Sequence, residues 1–180
     1  MLDGAGLSGL TMVSLYDVAP FDEAPETGAT FEDNALAKAR DGFAATGLAT
    51  VADDSGLEVA ALRGMPGVLS ARWSGNHGDD LANTALLLGQ LRDVPDERRG
   101  AAFVSACALV SASGEVVVRG EWPGTIAREP DGDGGFGYDP VFIPEGYDRT
   151  AAQLSPEEKD AISHRARALA LLLPALRDLA

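Results

Sequence analysis

The sequence predicts an α/β protein with a mixed central sheet flanked by helices. Two observations carry this prediction. Runs of apolar and β-branched residues, typical of strands, alternate along the chain with stretches whose apolar residues recur at helical spacing. Short clusters of Gly, Pro, Asn and Asp separate these runs, as turns and loops require. Because 180 residues are enough for a sizeable core, we expect one domain over residues 1–180.

The first third of the chain predicts a strand, a helix and a second strand. Residues 13–17 have the pattern of a short strand, and an acidic loop follows them. Thr30 is a good N-cap for a helix over residues 31–46, and Gly47 is a typical stop. The segment LATVADD, residues 48–54, then predicts a strand that ends at its two aspartates.

The middle of the chain predicts a helix and a strand pair. Residues 79–94 carry apolar side chains at positions 81, 85, 88 and 91, which indicates an amphipathic helix. Residues 101–113 and 115–127 are rich in Val and Ala. We expect them to form two strands, with Ser113 and Gly114 as the hairpin turn.

The last third predicts a loop, a short strand and a closing helix. PDGDGGFGYDP, residues 130–140, has the composition of a glycine-rich loop, and residues 141–144 that of a short strand. One long helix is expected over residues 155–176, with Ser155 as its cap and Pro156 in its first turn.

The charge balance excludes several classes of partner. The formal net charge is −14 and the pI is about 4.3. Surfaces that bind nucleic acid or anionic membranes need clustered Lys and Arg, so we expect neither partner. A small anionic ligand stays compatible if a few basic residues and a metal converge locally. The chain shows no export signal and no apolar stretch of bilayer length, so we expect a cytoplasmic protein.

The first candidate site combines Glu26 with the run Asp53, Asp54 and Ser55. Mg²⁺ is usually held by one or two carboxylates together with substrate phosphates, and a carboxylate beside it can accept a proton from water. The alternative is a solvated acidic turn without function. The residue pattern leaves open which of the two aspartates is the main base.

The second candidate is the glycine-rich run GGFGYDP. Its glycines allow the backbone to approach a ligand closely, and the ring of Phe136 or Tyr138 can stack on a base. The alternative is an ordinary loop whose aromatic side chains cover the core.

The third candidate lies in the predicted C-terminal helix, where Lys159, His164 and Arg165 follow one another. An adjacent His–Arg pair can donate hydrogen bonds to an acceptor such as a purine O6. The alternative is a charged helix surface on which these residues balance Glu157 and Glu158.

Four stretches occur in one order along nearly the whole chain: ETGATFEDNALAKA, ADDSGLEVAAL with GMPGVLSAR, GGFGYDPVF, and LSPEEKDAISHRARAL. Together they resemble the inosine triphosphate pyrophosphatase family. The resemblance implies a homodimeric housecleaning enzyme. Such an enzyme hydrolyses ITP, dITP and XTP to the monophosphate and pyrophosphate with Mg²⁺. It also implies a fold of two lobes around a cleft.

The resemblance assigns roles by motif. Asp54 is the proton acceptor and a metal ligand, and Glu26 is the other metal ligand. The residues assigned to substrate binding are Ser55, Phe136, Gly137, Tyr138, Asp139, Lys159, His164, Arg165 and Lys38.

One departure concerns the start of the chain. Family members begin with a strand and a phosphate-binding loop, whereas residues 1–9 here resemble the end of the helix that follows that loop. We therefore expect the first strand of the family fold to be missing and the 180-residue form to be weakly active or inactive. The alternative to an enzyme is a nucleotide-binding module with impaired catalysis.

Overall fold

A four-stranded sheet forms the centre of the computed structural model, which describes residues 9–22 and 25–179. The strands, in the spatial order in which they also follow along the chain, are β1 (Thr50–Val59), β2 (Gly100–Ser111), β3 (Gly114–Ile126) and β4 (Phe142–Pro144). The helices are α1 (Phe31–Thr46), α2 (Asp80–Gln90), α3 (Pro156–Ile162) and α4 (His164–Arg177). Helices flanking a central sheet confirm the predicted α/β class.

The described strands pair antiparallel throughout, where a mixed sheet was predicted. A two-residue turn joins β2 to β3, and such a short connection permits only antiparallel pairing. Ser111 pairs with Gly114, so the turn residues are Ala112 and Ser113, one position before the predicted turn. Gly114 itself begins β3 with a φ of 135°, which favours glycine.

Helices cover both faces of the sheet. On one face α1 packs on β1 and β2, over a core that includes Phe31, Ala35 and Val104. On the other face α4 packs on β2 and β3. A Cβ at Gly120 would lie 2.3 Å from the carbonyl oxygen of His164, so α4 rests directly on the backbone of β3.

Local sequence signals predict α1 correctly. It spans Phe31–Thr46, as expected, and the Thr30 hydroxyl oxygen accepts a hydrogen bond from the Asp33 backbone N–H at 3.1 Å. Gly47 ends the helix in a left-handed conformation with a φ of 70°.

The strand predicted over residues 13–17 is wrong. Leu15–Asp17 forms one turn of 3-10 helix, and its apolar side chains are exposed. The backbone N–H and the hydroxyl of Ser14 both donate to the Asp17 carboxylate, at 3.2 and 2.7 Å. These local hydrogen bonds close the backbone into a turn.

The helix predicted over residues 79–94 is present as Asp80–Gln90. Its predicted apolar stripe is correct at Leu88, which packs against the core, and at buried Leu91, but wrong in the first half of the helix. Leu81 is exposed, whereas Asn83 and Thr84 are buried beside Leu87. The polar pair is buried because both side chains bind loop backbone, Asn83 at Ser74 and Ala71 and Thr84 at Gly137. Apolar spacing alone therefore missed the polar part of the buried face of α2.

The prediction of a single C-terminal helix is also wrong, because the helix breaks at Ser163 into α3 and α4. Ser163 has extended backbone, with φ −64° and ψ 163°, and its hydroxyl accepts from the Ala166 backbone N–H. The predicted cap at Ser155 and the proline at the first helical position are confirmed. The break makes His164 the first residue of α4.

None of the helices among the described residues is long and apolar enough to cross a bilayer. The helix end predicted at residues 1–9 lies, apart from Gly9, outside the described residues.

Candidate active site

The two neighbouring aspartates lie within β1 and point to opposite faces of the sheet. β1 continues to Val59, so the strand does not end at Asp54 as predicted. Successive side chains of a strand alternate between faces. Asp54 accordingly contacts α1, whereas Asp53 contacts Arg165 of α4. The adjacent like charges therefore serve two separate groups of residues.

On the α1 face, two carboxylates meet at one ammonium group. The Lys38 Nζ lies 2.8 Å from Glu26 Oε1 and 3.0 Å from Asp54 Oδ1. Lys38 reaches them because it stands on the sheet-facing side of α1, one turn after Asn34. The Asn34 side-chain amide donates to the other oxygen of Asp54, Oδ2, at 3.0 Å.

The charges of this group stabilise one another. The hydrogen bond from Lys38 lowers the pKa of Glu26, with a further contribution from Arg72, whose Nη1 lies 3.7 Å from Glu26 Oε2. Burial disfavours the ammonium of Lys38, but its bonds to Glu26 and Asp54 outweigh that effect and raise its pKa. Near neutral pH, Glu26 is thus a carboxylate and Lys38 an ammonium.

The donor set of the α1 face fits a hard cation. Glu26 and Asp54 direct oxygens to one point, and the ammonium at that point already stands in for a positive charge. Within residues 9–22 and 25–179, no three His, Cys, Asp or Glu side chains cluster around a metal position. Two carboxylates still suit Mg²⁺, which commonly takes its other ligands from water and substrate phosphates.

On the α4 face, Asp53 connects β1 to the C-terminal helices. Its Oδ2 accepts from Arg165 Nε at 3.1 Å and from the Ser55 hydroxyl at 2.8 Å. Burial raises the pKa of Asp53, but Arg165 and Ser55 outweigh it and hold this pKa below its usual value. Ser55 therefore belongs with Asp53 rather than with the carboxylate pair on the other face.

The Phe136 ring presents an aromatic surface next to two cations. The side chain is 62% exposed. Lys159 Nζ lies 4.8 Å and Arg165 Cζ 5.7 Å from the ring centroid, both within the range of cation–π attraction. An exposed ring flanked by positive charge can stack on a base and attract an anionic ligand.

The glycine-rich loop is held in place by carboxylates. Buried Asp139 accepts from the Phe136 backbone N–H at 2.8 Å and pairs with Lys159. Asp80, the first residue of α2, accepts from the Gly137 backbone N–H at 2.7 Å. These bonds fix the peptide units on both sides of Phe136.

Tyr138 was predicted to line a base pocket, but the structure places its side chain in the core. Its side chain is buried, and its hydroxyl donates to the Ser70 carbonyl oxygen at 2.9 Å. Burial raises its pKa, so the hydroxyl stays neutral. The ring covers the core, which is the alternative that the sequence left open for this loop.

His164 is buried as well, with 5% of its surface exposed. Its imidazole stacks on Phe103, with ring centroids 5.1 Å apart and planes inclined by 14°. Burial, followed by the charges of Arg165 and Lys159, lowers its pKa to about 3, so the ring is neutral near pH 7. Its Nδ1 has no hydrogen-bond partner among the described residues.

The predicted residues thus form two groups. The α1-face group contains Glu26, Lys38 and Asp54. The α4-face group contains Ser55, Phe136, Gly137, Asp139, Lys159 and Arg165, with His164 and Tyr138 buried beside it. Two surface cavities of about 310 and 300 Å³ lie beside β4, and no predicted site residue lines them.

Three residues that hold these groups were not predicted from the sequence: Asn34, Arg72 and Asp80. Helical spacing offers a signal for Asn34, because a residue four positions before Lys38 shares its face of α1. Arg72 and Asp80 reach their partners through tertiary contacts that no local pattern reveals.

The fold and the two groups of residues define an α/β protein whose site suits a ligand with both phosphates and an aromatic base. The chain belongs to the Ham1 family, whose sequence pattern matches residues 2–175.

Close relatives match along the chain. A dITP/XTP pyrophosphatase from Mycobacterium tuberculosis (strain ATCC 25618 / H37Rv) is 85% identical over 180 residues, covering 100% of this chain and 88% of that protein. The crystal structure of a nucleoside-triphosphatase / dITP/XTP pyrophosphatase from Mycobacterium abscessus is 70% identical. It has a TM-score of 0.83 and covers 97% of this chain and 90% of that one. The Staphylococcus aureus Ham1 protein has the same TM-score at 42% identity, covering 89% and 82%. The resemblance drawn from the motifs is confirmed.

Proposed function

We propose that this protein hydrolyses dITP, XTP and ITP to the monophosphate and pyrophosphate with the help of Mg²⁺. It is a nucleoside triphosphate pyrophosphohydrolase of the Ham1 family, and relatives at 70–85% identity are dITP/XTP pyrophosphatases. The observation that carries the proposal is the convergence of Glu26 and Asp54 on one cationic point.

Glu26 and Asp54 would hold the metal ion. When bound, Mg²⁺ masks phosphate charge and stabilises the charge that develops at the phosphorus. Asp54 accepts the proton of the attacking water, and its two oxygens are oriented by the bonds from Asn34 to Oδ2 and from Lys38 to Oδ1. The Lys38 ammonium, which lies between the two carboxylates, contributes positive charge toward the phosphates. In a chain of net charge −14, such local cations are required for a polyphosphate to bind.

The α4-face group binds the base. Phe136 stacks on the purine, and Arg165 with Lys159 supplies hydrogen-bond donors beside it. Hypoxanthine and xanthine present an O6 acceptor, whereas adenine presents an amino donor that finds no acceptor on these cations. The neutral ring of His164 brings one N–H donor rather than two. A site that leaves buried polar groups unpaired with the wrong base discriminates strongly.

The test is pyrophosphate release from dITP, XTP, dGTP and ATP by the 180-residue chain, with Mg²⁺ and with chelator. We expect release from dITP and XTP in preference to dGTP and ATP, and only with metal. Release of orthophosphate instead, or equal rates for all four nucleotides, would contradict the proposal.

The second candidate function is a nucleotide-binding module with impaired catalysis. It is distinguished from the enzyme by comparing thermal stabilisation with pyrophosphate release. A module of that kind is stabilised thermally by dITP but releases no pyrophosphate. The homodimer that the resemblance implies and the cytoplasmic location expected from the sequence belong to the same proposal. Light scattering of the purified protein tests the first of these.

A further inference from the structure

Asn34 lies at the centre of the α1-face group, although no motif role was assigned to it. The side chain is 2% exposed and points from α1 toward β1. A buried amide must find partners for both its carbonyl oxygen and its amino group. Asn34 finds both outside its own helix, in the two segments that carry Glu26 and Asp54.

The carbonyl end of the amide holds the segment of Glu26. Asn34 Oδ1 accepts from the Gly28 backbone N–H at 2.8 Å, two residues after Glu26. Gly28 approaches so closely that a Cβ there would lie 2.6 Å from Asn34 Oδ1 and 2.7 Å from Asp33 Cβ. The segment is therefore seated against the start of α1, which only a glycine at position 28 permits.

The amino end of the amide holds the carboxylate of Asp54. The orientation of the amide follows from chemistry, because the Gly28 N–H is a donor only and must face the Asn34 oxygen. Nδ2 then faces Asp54 and donates to Oδ2 at 3.0 Å. This bond turns the other oxygen, Oδ1, toward Lys38 and Glu26.

We propose that Asn34 is the positioning residue of the hydrolytic site: one amide sets the rotation of the Asp54 carboxylate and holds the Glu26 segment against it. The inference rests on the proposed function, since positioning concerns the two carboxylates that would hold the metal. Partners of this kind around metal ligands are typically worth 10- to 100-fold in metal affinity or activity.

Asn34→Asp is the decisive variant. It keeps the shape of the side chain and an oxygen that accepts from Gly28, but it removes the donor to Asp54 and places a carboxylate there. If Asn34 only anchors the Gly28 segment, this variant keeps its activity. If it positions Asp54, kcat for dITP falls by about 10- to 100-fold while KM changes by less than about threefold. An unchanged kcat would overturn the proposal.

Asn34→Leu and the matched control Asn83→Leu add a readout that does not need turnover. Asn83 is equally buried on α2 and also bridges two groups, the Ser74 N–H and the Ala71 carbonyl, but touches no carboxylate. Mn²⁺ binding without nucleotide is measured by electron paramagnetic resonance. We expect binding to weaken about 10- to 100-fold in Asn34→Leu and to stay at the wild-type value in Asn83→Leu.

The outcomes separate the two proposals. Wild-type protein that releases no pyrophosphate from any nucleotide contradicts the proposed function, and the Mn²⁺ comparison still decides the role of Asn34. Wild-type turnover with an undisturbed Asn34→Asp variant, or equal Mn²⁺ binding in both leucine variants, overturns the role of Asn34 and leaves the function standing. If Asn34→Leu fails to fold, the Asn34→Asp variant decides alone.

Discussion

The two faces of β1 carry neighbouring aspartates in different surroundings. On the α1 face the Asp54 side chain is 11% exposed and bonded to Asn34 and Lys38. On the α4 face the Asp53 side chain is 42% exposed and bonded to Ser55 and Arg165. Residues adjacent in the sequence of a strand are thus separated in space, because each step along the strand reverses the face to which the side chain points.

The difference also divides the chemistry. The α1 face brings two carboxylates to one cation, which suits a metal and phosphates. The α4 face brings two cations to an exposed aromatic ring, which suits a base. β1 is the element common to both groups, because Asp53 and Asp54 are consecutive residues of this strand.

The largest expected effect distinguishes the two aspartates directly. Asp54→Asn should lower kcat for dITP about 10³-fold, because general base catalysis typically contributes 10²–10⁴-fold. Asp53→Asn should change KM by less than about tenfold, since a half-exposed ion pair contributes little. Steady-state kinetics on both variants, with melting curves to confirm folding, makes the comparison. Equal losses in the two variants would show that the faces do not divide the chemistry.

Mild acid should destabilise the folded protein through His164. The folded His164 has a pKa of about 3 against an ordinary value of 6.5, so only the unfolded chain takes up this proton between those values. The free energy of unfolding should therefore fall as the pH is lowered from about 6.5 to 5, by about 2 kcal/mol for one group. The carboxyl of Glu26, whose pKa is below 4.5, titrates later.

Urea unfolding at several pH values measures this slope. His164→Gln should flatten it, and His77→Gln is the matched control, because His77 is the other histidine and is exposed. The charged groups that act on His164 are Arg165, Lys159 and Asp53, and both variants retain them. A slope that survives in His164→Gln would locate the pH dependence elsewhere.

Removing the ring of Phe136 should weaken binding of the base and leave the rate of the chemical step unchanged. Phe136→Ala should raise KM for dITP about tenfold and change kcat by less than about threefold, since stacking on a base is worth about 1–3 kcal/mol. The control is Leu171→Ala, which changes an exposed apolar side chain on α4, outside the loop of Phe136. It should leave both constants unchanged. A loss confined to kcat would place Phe136 with the reacting groups instead.

The smallest effect concerns the support of the loop. Asp80→Ala removes the acceptor of the Gly137 N–H and should raise KM for dITP about threefold through a less fixed Phe136. The neighbouring Asp79 caps α2 at the Ala82 N–H, so Asp79→Ala should cost about 1 kcal/mol of stability at an unchanged KM. Kinetics and melting of the two variants test this; a raised KM in Asp79→Ala would remove the distinction.

Much of the fold was predictable where the signals are local. The N-cap at Thr30 and the left-handed Gly47 define both ends of α1, because each acts within a few residues of its own position. The same holds for Ser155 at the start of α3. The predicted turn between β2 and β3 was wrong by one residue, since register depends on the partner strand.

The sequence predicted which residues belong to the candidate site, but it did not predict how they are grouped or which of them are buried. The motifs identified Glu26, Lys38 and Asp54, and the structure brings these three together. They also identified His164 and Tyr138, whose side chains are buried beside the site. A motif identifies the residues, whereas their burial depends on which elements of the fold pack against the side chain.

By itself, the sequence determined the α/β class, the family and the residues that carry charge to the site. The break at Ser163 has a local signal, because the Ser163 hydroxyl caps α4 at the Ala166 backbone N–H. The groups that the two aspartates meet were decided only by the tertiary structure. The reason is that these groups come from distant segments: α4 lies on the backbone of Gly120, and Asn34 ties Asp54 to Gly28. Such contacts join residues far apart in the chain, which periodicity and caps do not encode.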